Sequence, residues 1–172
     1  MNKDSKISDN YDTPKESTAV FVVCNRKILL KRYMFEDIWC CGAVLGKFIK
    51  DNEDPVNELI KIEKDQLGID LPPKYICTII SYINKPKPDG RVRLTSPIYL
   101  LEISEEVKSQ IKKDKDFVWM NIDKIKKSEE IREDDKLIFD RILSGNYKDF
   151  TLDVDQMGKW GRPKLLAFEE NI

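Results

Sequence analysis

Apolar and polar residues change period at a few places along this chain, and those places mark its elements. Thr18 to Cys24 (TAVFVVC) is a β-branched and aromatic run, Lys27 to Tyr33 (KILLKRY) is a second, and the polar Asn25-Arg26 pair between them suits a tight hairpin turn. A mixed apolar stretch from Trp39 to Leu45, broken by Gly42, leads through Gly46 to the polar loop KDNED, the first place where a ligand could meet backbone. At Asp54-Pro55 the period switches. A capping-type Asp and a Pro suited to a first helical position precede Val56, Leu59, Ile60 and Leu67 at helical spacing, and Gly68 ends the run, so this segment is predicted as a helix with those four residues toward the core. Strand-like patterns return at Tyr75 to Ile83, Arg91 to Ile103 and Phe117 to Asn121, and helical ones at Ser104 to Lys112 and Asp134 to Leu143.

Residues 1–17 are charged and periodless and read as a flexible arm, residues 18–143 as the domain, and residues 144–172, with Gly145, Gly158, Gly161 and Pro163 around Trp160, as a tail packed on it. Strands on both sides of one strong helix, without regular βα alternation, predict an α+β protein, an α/β/α sandwich with a mixed β-sheet.

Composition narrows the chemistry. With 41% hydrophobic and 35% charged residues the chain is globular, and 30 Lys+Arg against 31 Asp+Glu provide no global field for nucleic acid or anionic lipid. No apolar run approaches a membrane span and the N-terminus is polar, which predicts a cytoplasmic protein. The chain has no histidine, so Ser-His and Cys-His catalysis are excluded. Cys24, Cys40, Cys41 and Cys77 lack C-x-x-C spacing and read as buried reduced thiols rather than a zinc site. Any chemistry falls to carboxylates and lysines. The Lys-rich runs 108–115 and 124–127 are interleaved with acids and are expected to have no aromatic neighbours, which argues against RNA.

Gly46 to Ile69, GKFIKDNEDPVNELIKIEKDQLGI, resembles a Nudix box, a loop-helix-loop motif; VFVVCNRKILLKRYMFEDIW before it, and FVWMNIDKI and REDDKLIFDRIL after it, resemble the flanking elements of that family. The resemblance covers roughly residues 18–143 and implies the Nudix sandwich. Counting back from Gly68-Ile69, Glu53 falls on the first glutamate, Lys61 on the arginine, and Ile62, Asp65 and Gln66 on the three helix glutamates that in the family hold divalent cations; Gly46 sits one residue early. Glu63 falls on an apolar position, where a charge is costly and calls for a lysine partner or a raised pKa.

On this reading the box is degenerate. Glu53 and Lys61 are expected to brace the loop against the helix. Asp65, helped by Glu58 and Gln66 and by a backbone carbonyl from the Gly46 loop, is what remains to hold Mg²⁺ or Mn²⁺, weakly or not at all. Arg91 and Arg93, alternating with Val92 and Leu94, could grip phosphate, and Trp39, Trp119 and Phe117 could stack on a base, although core packing is the commoner fate of such residues. The resemblance thus implies a protein that binds a nucleotide or related diphosphate with weak or no hydrolysis. An active Mg²⁺-dependent pyrophosphohydrolase and a protein- or RNA-binding scaffold are the alternatives, and a homodimer is compatible with the sequence.

Overall fold

The computed structural model describes residues 13–35, 38–85, 90–155 and 164–171. Among these, nine strands join in one mixed sheet. They are β1 (Thr13–Cys24), β2 (Lys27–Phe35), β3 (Ile38–Ala43), β4 (Leu45–Phe48), β5 (Lys74–Asn84), β6 (Arg91–Glu102), β7 (Phe117–Met120), β8 (Phe150–Asp155) and β9 (Lys164–Glu170). The order is β3-β2-β1-β6-β5-β8-β9, with β4 paired to β1 and β7 to β2. The β1/β6 and β5/β8 pairs are parallel and the rest antiparallel. Both residues of the Asn25-Arg26 turn have positive φ, the backbone a two-residue hairpin of this hand requires.

Among the described residues four helices, α1 (Pro55–Leu67), α2 (Glu105–Gln110), α3 (Ile122–Lys127) and α4 (Glu133–Leu143), lie on the two faces of the sheet. Alternation along the strands sends Val20, Val22 and Cys24 of β1 into one core with Leu59 and Leu67 of α1, Leu101 and Ile103. Phe21 goes to the opposite core with Ile28, Ile98, Ile125, Phe139 and Phe150. One strand feeding two cores in alternate positions defines a sandwich, and the expected α/β/α class is what the structure shows.

The boundaries differ from the expected ones. The first strand begins at Thr13, inside the stretch read as an arm, because residues 13–16 pair with residues 92–95 of β6. The stretch read as an irregular tail supplies β8 and β9, so the sheet extends through it; Gly158, Trp160, Gly161 and Pro163, like residues 1–12, lie outside the described residues. All four cysteines are buried free thiols, and burial pushes Cys41 and Cys77 up to about 11, far from thiolate at neutral pH. Among the described residues no helix is long and apolar enough to cross a membrane.

Candidate functional site

Helix α1 has the expected limits for the expected reasons. Asp54 accepts the Asn57 N–H at 3.0 Å, Pro55 opens the helix, and Gly68 closes it with φ 71°, its N–H shared by the Glu63 and Lys64 carbonyls. Leu59 and Leu67 are fully buried, whereas Val56 and Ile60 are only half-buried. Glu63, with no exposed surface, completes the buried face one turn from each leucine. Its Oε1 accepts the Leu71 N–H at 2.8 Å, and its Oε2 has no partner. Burial accordingly raises its pKa; the lysine partner foreseen as the other remedy is replaced by a backbone amide.

On the exposed side the carboxylates of the loop and of α1 that the resemblance singles out have been claimed by lysines. Lys47, on β4 opposite Thr18, places its ammonium 2.8 Å from Glu58 Oε2 and 3.2 Å from Glu53 Oε2, and Lys61 lies 2.6 Å from Glu58 Oε1. The Lys47 and Lys61 ammonium groups hold the Glu58 carboxyl down at about 2. The Lys50 N–H and then Lys47 hold Glu53 low as well. Loop and helix are thus joined through Lys47 and Glu58, and Glu53 and Lys61, expected to face each other, are linked only through that pair. Lys47 escaped the sequence reading because only its place opposite Thr18 directs it at α1; its one signal is that it stands where the count puts the first glycine of the box. Gly46 itself is a strand residue opposite Ala19, where an added Cβ would come 3.2 Å from the Thr18 carbonyl.

The remaining candidates do not converge. Asp65 and Gln66 are exposed near the end of α1, and Ile62 is half-buried against the α1-side core. Arg91 and Arg93 are exposed on β6, on the sheet face that Tyr99 and Leu101 share by two-residue alternation. Trp39 is on β3, with β2 and β1 between it and β6, and the Arg32 guanidinium covers its ring at 4.9 Å while bonding both Glu130 oxygens. A second charged group, not foreseen, is built at the start of α4. There Arg132 bonds both Asp134 oxygens (3.2 and 2.7 Å) and lies 3.6 Å from Asp135, whose pKa is raised by burial and by the Asp134 charge. Its signal in the sequence, paired aspartates beside an arginine, is common on any helix start.

Mg²⁺ and Mn²⁺ want several anionic oxygens converging on one point. Here Ile62 offers none, Gln66 offers a neutral one, Asp65 stands alone and exposed, and Glu58 and Glu53 already share an ammonium. Among the described residues no three Asp, Glu, Cys or His side chains converge in a way that could hold a metal ion. This donor set does not fit the cation that the family resemblance implies.

No family profile matches the sequence, and no curated protein does. Solved structures do match. A MutT protein from Bacillus halodurans superimposes with a TM-score of 0.60 at 15% identity, covering 90% of this chain and 96% of its own. A MutT protein from Methanosarcina mazei Go1 gives 0.57 at 13% identity, over 82% and 100% of the two chains. A MutT Nudix hydrolase from Burkholderia pseudomallei gives 0.53 at 16% identity, over 76% and 99%. The chain therefore has the Nudix-type fold; at such identities the likeness concerns the fold alone.

Proposed function

We propose that this protein binds a nucleotide or a related diphosphate and hydrolyses it weakly or not at all. The fold is that of MutT and Nudix structures, and fold alone leaves the chemistry open. The observation that carries the reading is the salt-bridged cluster Lys47–Glu53–Glu58–Lys61: the carboxylates nearest the loop are neutralised by the protein's own ammonium groups, and the helix positions that bear glutamates in the family bear isoleucine, aspartate and glutamine. A phosphate ligand would have to be gripped by side-chain cations, in a cytoplasmic protein whose Mg²⁺ or Mn²⁺ is weakly held or absent.

A panel of nucleoside di- and triphosphates and dinucleotides, read by thermal shift and by phosphate release with Mg²⁺ or Mn²⁺, tests this. At least one member should raise the melting temperature without turnover, since a ligand that binds only the native state stabilises it by mass action. Metal-dependent release that disappears in Asp65→Asn would establish the hydrolase instead.

A further inference from the structure

The lysine run at residues 108–115, expected to have no aromatic neighbours, has two. After α2 the chain turns at Ile111 and enters β7, and this brings Phe117 and Trp119 against Lys108, Ile111, Lys112, Lys113 and Lys115 around a shallow groove of about 400 Å³. Phe117, Trp119 and Ile111 form its floor, each half-buried against the α1-side core.

The charges around this groove are unevenly compensated. Asp114 is committed to Lys31 at 3.4 Å and to the Asp116 N–H at 2.9 Å. Lys108 is held by Glu105 at 3.2 Å, with its ammonium 5.0 Å from the Trp119 ring centroid. Lys112 reaches across to α1 and donates to the Asp65 carbonyl at 2.6 Å, which fixes the run beside the last turn of the box helix. Lys113 and Lys115 are exposed, and among the described residues neither reaches ion-pair distance of a carboxylate, although Lys115 shares in holding the Asp114 carboxyl low. Exposed Lys113, Lys115 beside Asp114, and Lys112 on a neutral carbonyl stand above an apolar floor whose Phe117 and Trp119 rings lie 5.6 and 5.0 Å from the Lys31 and Lys108 ammonium groups, and together they form a surface for an anion that carries a flat apolar part.

We infer that this groove binds the phosphates of a nucleoside di- or triphosphate without a metal, Lys112, Lys113 and Lys115 meeting the phosphate oxygens while the base lies against Trp119 and Phe117. The volume is within the range of small-ligand sites. Ammonium groups supply here the positive charge that the box carboxylates cannot recruit as a divalent cation. The inference rests on the proposed function for the ligand class, and adds where the ligand sits and what holds it.

The test is calorimetric titration in EDTA with inorganic pyrophosphate, ADP and a short oligouridylate, on the parent protein, on Lys113→Gln/Lys115→Gln and on Arg91→Gln/Arg93→Gln. Pyrophosphate and ADP should both bind the parent, ADP more tightly, with affinity falling as salt rises. The lysine variant should weaken both by about tenfold or more, as loss of charge-assisted hydrogen bonds does. Amide shifts induced by ADP in the parent should fall on residues 111–119, a readout that needs no variant to fold. ADP binding that the lysine variant leaves intact, or that the arginine variant abolishes, overturns the groove while the proposed function stands. Failure of every probe to bind the parent overturns both. Binding of the oligouridylate without ADP overturns the groove as a mononucleotide site and makes it a surface for single-stranded RNA.

Discussion

Two glutamates on one helix have been pushed in opposite directions, and each carries its own pH signature. Glu58 is held at about 2 by Lys47 and Lys61. A depressed carboxylate contributes stability that is present above its unfolded pKa, near 4.3, and lost as pH falls through the folded value. Glu58→Gln should therefore be less stable than the parent at neutral pH, and the two should converge as pH approaches about 2; denaturant midpoints against pH read this directly. Glu63 is raised by burial, so its contribution is present at low pH and lost as pH rises through its folded value. Glu63→Gln keeps an acceptor for the Leu71 N–H and removes the buried charge. It should stabilise the protein at neutral pH by about 1 kcal/mol and remove the fall in stability that sets in as pH rises above the unfolded carboxylate value, about 4.3. Destabilisation by Glu63→Gln at all pH values would mean that the buried amide N–H groups cost more than the charge they replace.

At the scale of the element, α1 was legible to the residue because its signals are local: a capping aspartate, a first-turn proline, a left-handed glycine. Asp54→Ala should cost about 1 kcal/mol for the lost cap. Gly68→Ala should cost about as much, since φ is 71° and the new Cβ would meet the Lys112 side chain at 3.1 Å. The burial of the helix was only partly legible. Leu59 and Leu67 are inside as expected, in one core with Leu45, Leu101 and Ile103, but the third buried position of the helix is Glu63, and Val56 and Ile60 are only half-buried. The Lys47 bridge and the Lys108–Trp119 groove were not legible, since each depends on a strand register that no local pattern encodes. Rebuilding the box by Ile62→Glu with Gln66→Glu should raise Mg²⁺ affinity at least about tenfold in calorimetry, because it adds two anionic oxygens a turn apart beside Asp65. Equal affinity before and after would mean that the helix face does not set metal binding.

For the whole molecule, the sandwich was legible in the alternation of strands around one helix, but its extent was not. Polar residues flanking Thr13 and glycines flanking Phe150 hide strands whose pairing partners are far away in sequence: Thr13 lies opposite Val92, and Phe150 opposite Ile79. Ending the chain after Ser144 should strip β8 and β9 from the sheet and leave the β5 edge, with Ile79 and Ile83, open to other chains. In a solubility assay that truncation should be recovered as aggregate and the full chain in the supernatant. The same pairings set an order in time. The central strand β1 emerges early in synthesis, yet its parallel partner β6 ends at Glu102 and the closing strands come at the far end of the chain. Contacts so distant along the chain carry a large loop-closure entropy and slow folding. The β6-facing edge of β1 must therefore stay open until Glu102 has been made, even though β2 and β4 can pair with the other edge at once, and the yield of this protein in a cell should depend on chaperones that shield that edge in the meantime.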